Sequence, residues 1–314
     1  MDDILSHSER VPRDELRRLQ ARSDAPGLAR LLASLAALLV GGTAACILAA
    51  HDDPWWPLAS TLCALAIPAL FAALHESAHG TAFRTPLLNR ATAWIGSALM
   101  LQSPSFFREF HWEHHRQTQS KQRDPEIHLG AGVLGEWPRS PLLYLALASG
   151  QLLLVGKPMF TLACALLPVS LWRRIFPWVR ASHARAVARE SRLVVALLVA
   201  AVALGLHSVP GFRAVLLAWP IGHVLLGLYL MAEHTGLPHD GSQLHRTRTM
   251  ATTAAVRWWM WNMPYHGEHH AYPSVPFHAL PQLHALLAPE LEHADQGYLA
   301  FHREALLRSL ARRP

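Results

Sequence analysis

Residues 55–79 read WWPLASTLCALAIPALFAALHESAH: twenty uncharged residues, Trp55 to Leu74, pass directly into His75-Glu-Ser-Ala-His79. At about 1.5 Å per helical residue, twenty residues span a hydrocarbon core of about 30 Å. A helix that crosses a membrane and ends in paired imidazoles sets the reading of everything around it. Leu31 to Ala50 is a second uncharged twenty-residue run, and the linker His51-Asp-Asp-Pro54 has no Lys or Arg. Arg10, Arg13, Arg17, Arg18, Arg22 and Arg30 precede the first run. By the positive-inside rule they place the N-terminus in the cytoplasm, and so charged a leading segment argues against a cleaved signal peptide. A second hairpin is expected from Leu193 to about Phe212 and from Ala214 to Ala232, joined by Ser208-Val-Pro-Gly211.

Composition agrees. The 314 residues are 51% hydrophobic and 16% charged, against about 25% charged in ordinary soluble domains. Mean hydropathy is only +0.16, so apolar spans alternate with a large water-facing part. The three cysteines, Cys46, Cys63 and Cys164, stand singly and form neither a disulfide framework nor a zinc ribbon. The net charge of +6 is carried by arginines scattered around the spans, without a stacking motif, which favours membrane topology over nucleic acid as its cause. Trp55, Trp56, Trp172, Trp178, Trp258, Trp259 and Trp261 lie near expected span ends or polar flanks, where they serve either as an interfacial belt or as core.

Histidine is the exceptional residue, 21 in all. His111-Trp-Glu-His114-His115 and His266-Gly-Glu-His269-His270 repeat one spacing, i, i+3, i+4, which lines imidazoles along one helical face; His75 and His79 do the same at i, i+4. Buried beside apolar segments, imidazoles need partners, and a metal supplies one. His234 ends the fourth span at the same membrane depth as His75, which ends the second, and is a ninth candidate ligand. Isolated histidines such as His7, His183 and His302 read as ordinary polar residues. His223 lies eleven residues before His234, roughly 16 Å deeper on the same face, and is a candidate for the substrate channel or a buried, hydrogen-bonded histidine. Glu76, Glu113, Asp124, Glu126, Glu233 and Glu268 are candidates to orient ligating rings.

If all clusters meet at one site, the number of crossings between any two must be even. Ala91 to Phe107 is then re-entrant or interfacial, and Leu142 to Trp172, interrupted by Lys157, Pro158 and Pro168, crosses zero times or twice, with zero preferred. The expected fold is an all-α integral membrane protein of four transmembrane helices, about 31–50, 55–74, 193–212 and 214–232, with a cytosolic, histidine-rich helical cap and both termini in the cytoplasm. Residues 1–30 and 286–314 are expected as cytosolic segments flanking one membrane domain, 31–285. Nine imidazoles exceed a zinc site's four ligands and suit two metal ions of four or five imidazoles each. Two irons able to bind and reduce O2 lead that reading. A zinc protease using H-E-x-x-H alone, or a histidine-rich metal carrier without redox chemistry, are the other classes.

Taken in order, the three clusters resemble the histidine boxes of the membrane fatty acid desaturase superfamily, H-x(3,4)-H, H-x(2,3)-H-H and (H/Q)-x(2,3)-H-H. The flanking strings His79-Gly-Thr-Ala-Phe-Arg84, Arg123-Asp-Pro-Glu126, Glu233-His-Thr-Gly-Leu-Pro238, Asn262-Met-Pro-Tyr-His266 and Ala271-Tyr-Pro-Ser-Val-Pro-Phe277 are similar to bacterial members, and the resemblance covers about residues 70 to 285. It implies a mushroom-shaped four-span fold with a cytosolic cap, placed in a bacterial inner membrane, and a di-iron centre that oxidises unactivated C–H bonds with O2. It assigns the extra ligand to His234 and a metal contact through water to Asn262. The third box begins with His, and no His-Pro-Gly-Gly haem motif occurs, so the chain is unlike front-end desaturases and members fused to cytochrome b5. No dinucleotide fingerprint is present, so electrons must come from a separate ferredoxin, rubredoxin or cytochrome docking on the arginine-rich face. Desaturation of acyl chains is favoured; decarboxylation of fatty acids to 1-alkenes, lipid hydroxylation and carotenoid ketolation stay open, because fold and metal do not fix the product.

Overall fold

The computed structural model describes residues 11–130, 133–295 and 297–311; Arg10 and His7 of the sequence reading lie outside them. Among the described residues, four helices are long and apolar enough to cross a membrane: Ala25–Ala50, Trp56–His79, Ala181–Ser208 and Arg213–His234. The chain is thus helical and membrane-integral, as its runs of uncharged residues require. Each span is longer than the apolar run that announced it, because a helix does not end where hydrocarbon ends. The third begins twelve residues before Leu193 and carries Arg185, Arg189, Glu190 and Arg192 on that extension.

The second span is the frame of the molecule. Pro57 sits in its first turn, where the missing N–H costs nothing. At its other end Gly80 takes the left-handed conformation (φ 71°), and Thr81 N donates to Glu76 O at 3.1 Å, which closes the helix directly after His79. Its faces are packed by close backbone approach. A methyl group on Gly41 of the first span would lie 2.5 Å from Cys63 N, and one on Gly222 of the fourth would lie 2.5 Å from Ile67 Cβ. Small residues allow such contact where no hydrophobic driving force acts between helices.

The two ambiguous apolar stretches resolve into short helices. Ala91 to Phe107 is divided between Pro86–Leu99 and Pro104–Gln117, each 14 residues and about 21 Å long. Leu142 to Trp172 contains Pro141–Ala148 and Gln151–Leu166, bent by 59° at their junction, so that the two could together count as a fifth span by length and composition. The imidazoles of His114 and His234, which flank this region in the chain, lie 3.2 Å apart. With two spans already between them, a further single crossing would put them on opposite sides of the membrane. The bent pair must therefore enter and leave on the same side.

The helix Pro104–Gln117 is held at two points. Ser103 caps its N-terminus, accepting from Phe106 N at 3.1 Å, and Glu190 of the third span accepts from Ser103 Oγ, Ser105 N and Ser105 Oγ at 2.8–2.9 Å. Glu109, buried, accepts from Arg180 Nη2 at 2.7 Å and from Arg180 N at 3.0 Å, and meets His183 Nδ1 at 2.7 Å. His183, read as an isolated polar histidine, thus helps to anchor this helix. Burial alone would raise the Glu109 pKa, but these donors overcome it and hold the carboxyl at about 2. A depressed folded-state pKa stabilises above the unfolded value of about 4.3 and is lost as pH falls toward 2. Glu109→Gln is expected to cost about 1–3 kcal/mol at pH 7, and the difference from the parent chain should shrink between pH 4 and pH 2 in thermal unfolding followed in detergent.

The tryptophans divide between the two expected roles. Trp172 and Trp261 are fully buried, whereas Trp55 and Trp258 are exposed. Arg30, read from sequence as a flanking charge, is buried within the first span, its Nε donating to Trp258 O at 2.9 Å and its guanidinium lying 4.4 Å from the Phe277 ring centroid. The stretch after residue 285 packs into the same body: Phe301 and Ala305, on the helix Tyr298–Ala311, are buried with Tyr144, Met231 and Ala232. Two short strands, β1 (Thr249–Met250) and β2 (Ala294–Asp295), pair in parallel and tie that stretch to the segment after the fourth span.

Candidate metal centre

All nine clustered histidines meet at the ends of the second and fourth spans, and they divide into two sets. His75, His79, His111, His115 and His269 offer ring nitrogens within 4.8 Å of one another; His114, His234, His266 and His270 form the second set by the same measure. Eight of the nine are buried and His79 is half-buried. The sets adjoin, with the His115 and His270 rings stacked at a centroid distance of 4.0 Å and an interplanar angle of 15°.

The approach of the nitrogens tests whether a metal fits. In the first set His79 Nε2 lies 2.7 Å from His111 Nε2, His115 Nε2 lies 3.1 Å from His111 Nε2, and His269 Nε2 lies 3.2 Å from His115 Nε2. In the second, His234 Nε2 lies 3.2 Å from His114 Nε2 and 2.9 Å from His266 Nε2. Two nitrogens each about 2.1 Å from one ion and at right angles across it are about 3.0 Å apart. Convergence of Nε2 on Nε2 at that spacing is what ligands of a common cation require, whereas a network of paired imidazoles has no use for so many. Both ring nitrogens of His75 and Nε2 of His270 are buried without a hydrogen-bond partner, and such groups need a partner of some kind.

The outward-facing nitrogens show how the rings are oriented. His114 Nδ1 lies 3.0 Å from Asp124 Oδ1, which fixes Nε2 as the inward atom. Asp124 is itself held by Gln119 N at 2.8 Å and Glu126 N at 3.0 Å, and Glu126 comes within 3.9 Å of His114 Nδ1. His234 Nδ1 is 3.2 Å from Arg246 O, His270 Nδ1 is 3.2 Å from Thr118 Oγ1, and Glu233 is 3.3 Å from His266 Nδ1. Glu76 lies beside two rings of the first set, 3.8 Å from His75 Nδ1 and 3.7 Å from His269 Nδ1, and is held by Thr81 Oγ1 and Phe277 N. In an H-E-x-x-H protease that Glu would have to reach water as a general base; here it is fully buried behind the imidazoles.

The remaining sequence candidates lie elsewhere. Glu113 pairs with Arg116 on the outer face of its helix, and Glu268 bonds Thr249 and His284, so neither carboxylate is turned toward a clustered ring. Asn262 is buried, adopts a left-handed conformation (φ 57°) and donates Nδ2 to Phe277 O at 2.9 Å. His223 is buried with Nδ1 2.9 Å from Trp219 O and Nε2 unpartnered. Thr81, Thr118, Gln119 and Arg246 were not singled out from sequence. Thr118 and Gln119 directly follow the second cluster, a position that could have marked them.

Electrostatics separate one ring from the rest. Burial, reinforced by neighbouring imidazoles, holds His111, His115, His266, His269 and His270 well below the usual histidine range, so they are neutral, as metal ligands must be. Burial acts on His114 in the same direction, but Asp124 and Glu126 outweigh it and raise its pKa to about 9 in the metal-free chain.

A mostly helical membrane frame closes on nine clustered imidazoles, eight of them buried, with no thiolate among them, which is the donor set of a histidine-ligated metal site in a membrane protein. The model of the fatty acid desaturase family matches residues 53–302, and the chain belongs to that family. No curated protein matches the sequence.

Proposed function

We propose that the chain is an O2-dependent, non-haem di-iron oxidoreductase that introduces a double bond into a fatty acyl chain. The observation that carries this reading is the division of nine imidazoles into adjoining sets of five and four. His75, His79, His111, His115 and His269 would hold one iron and His114, His234, His266 and His270 the other, with Asn262 a candidate contact through water. When bound, the two irons supply the capacity to reduce O2 and so to oxidise an unactivated C–H bond. The chain's own part is to bury the rings, to orient them through Asp124, Glu76 and Glu233, and to exclude bulk water from them. For desaturation, R–CH2–CH2–R′ + O2 + 2e⁻ + 2H⁺ gives R–CH=CH–R′ + 2H2O. The two electrons come from a separate ferredoxin, rubredoxin or cytochrome, which we place on the arginine-rich face, with that face and both termini in the bacterial cytoplasm.

One observation favours a second reading. Lys157 has no carboxylate within ion-pair reach among the described residues; its ammonium is 3.8 Å from Met100 Sδ and 5.6 Å from the Phe71 ring centroid, and Phe71 lies 6.4 Å from the His75 ring. A free fatty acid would pair with it, which would bring the carboxyl end of the chain toward the imidazoles. Oxidation there yields decarboxylation: R–CH2–CH2–COOH + O2 + 2e⁻ + 2H⁺ gives R–CH=CH2 + CO2 + 2H2O.

Gas chromatography with mass spectrometry of acyl esters and headspace from cells expressing the chain separates these readings. New double bonds in acyl chains are expected. A 1-alkene one carbon shorter than a cellular fatty acid would transfer the assignment to decarboxylation, and hydroxylated lipids alone would overturn both. His223, about 16 Å along its helix from His234, we assign to the channel that receives the chain. His223→Ala should change chain-length preference with iron retained; loss of iron would refute that placement.

A further inference from the structure

A third group of ligating side chains lies outside the nine imidazoles. His245, Glu292 and His293 offer ligand atoms within 4.8 Å of one another. We propose that they form a separate, solvent-accessible binding site for a divalent transition-metal ion, with zinc the best chemical match. Two imidazoles and one carboxylate, with a further position open to water, are a donor set zinc accepts.

A surface His–Glu pair would explain only two of the three residues. His245 Nδ1 and Glu292 are in direct contact, and that pairing needs no third member. His293 nevertheless stands beside them, its ring 5.4 Å from that of His245, and its Nε2 is buried without a hydrogen-bond partner. That nitrogen would be satisfied by a cation shared with the pair. Ligand atoms around a tetrahedral zinc are about 3.4 Å apart, so the His245–Glu292 contact must open slightly around the ion. The side chains of His245 and Glu292 are 32% and 53% exposed and have the freedom to do so. Their exposure also gives the ion a route in.

The position of the trio suggests what the ion does. His245 belongs to the short helix Gln243–Arg246, whose ends reach the nine-imidazole centre: Gln243 Nε2 donates to His115 O at 2.9 Å, and Arg246 O lies 3.2 Å from His234 Nδ1. Glu292 and His293 directly precede β2, and His293 O accepts from Thr249 N at 2.9 Å. An ion bound by all three would clip the segment that supports His115 and His234 to the stretch leading into the C-terminal helix. Its role is structural, and it does not depend on which metal fills the larger centre.

The test is zinc binding by the full-length chain, purified in detergent with its main centre already loaded with iron. Equilibrium dialysis against micromolar zinc, followed by elemental analysis, should show one zinc per chain beyond the iron. His245→Ala combined with His293→Ala should lose that zinc and keep its iron, and Glu292→Gln, at an exposed position, should weaken zinc binding at least about tenfold without affecting the fold. Cobalt offered in place of zinc should give a visible absorption band in the parent chain that the double variant lacks. Absence of zinc from the parent chain, equal zinc in parent and variants, or zinc taken up only as iron leaves would each overturn the proposal.

Discussion

Replacing His269 by alanine is expected to abolish turnover and to halve the iron content while the protein still inserts and folds. His269 is fully buried at the middle of the first imidazole set: its Nε2 is 3.2 Å from His115 Nε2, and its ring centroid is 4.6 Å from His75 and 4.7 Å from His79. Its Nδ1 is 3.7 Å from Glu76, so the change also leaves that carboxylate without one of its two imidazole neighbours. The space vacated is polar and large enough for water, which limits the structural cost. Loss of activity should therefore reach on the order of 10³-fold or more without loss of the membrane-inserted fold. Iron analysis, size-exclusion behaviour and product formation measured on the same preparation check this. Full turnover by the variant would refute the di-iron assignment.

The sequence disclosed the histidine centre more completely than it disclosed the shell around it. The i, i+3, i+4 spacing aligns imidazoles on one helical face, and a single convergence point follows from the requirement that buried imidazoles find partners. The partition between the two sets was not readable. His114 and His115 are neighbours in the chain yet serve different sets, as do His269 and His270. Consecutive helical residues diverge by about 100°, so each such pair straddles the centre, and which ring faces which set depends on how four separate helices are rotated against one another. The same geometry explains Glu113 and Glu268. Each precedes a ligand candidate in the chain and is turned away from it by that rotation, toward Arg116 and toward Thr249 and His284 respectively.

The spans were legible because a run of uncharged residues is a statement about solvent, independent of tertiary contacts. Their polar extensions were not, since the helix from Ala181 to Leu193 is set by packing against the Pro104–Gln117 helix through Glu109 and Glu190. Those two carboxylates lie 81 residues apart in the chain and carry no local pattern that would connect them. The bent pair Pro141–Ala148 and Gln151–Leu166 was recognisable as an unlikely single crossing only through the parity of the spans around it. The close contact of His114 with His234 makes that argument structural.

Asp124→Asn is expected to weaken iron binding more at pH 9 than at pH 7. In the metal-free chain, Asp124 and Glu126 raise His114 to about 9 against the opposing effect of burial. A ligand must lose its proton to bind a metal. At pH 7, below that value, proton competition weakens the hold of the second set on a metal. The first set pays no such penalty through His111, His115 and His269, which are already neutral. Iron should accordingly leave the second set first as pH falls from 9 toward 6. Asparagine retains an acceptor for His114 Nδ1 but removes the charge that holds the proton on the ring. At pH 9, where competition is small in either chain, the variant should show only the weaker orientation and lose about 10–100-fold in affinity. At pH 7 relief from proton competition should offset most of that loss, so the affinities of parent and variant should converge as pH is lowered. Iron titrations of both chains at the two pH values measure the difference directly. An equal deficit at pH 7 and pH 9 would show that the carboxylate acts on His114 through geometry alone.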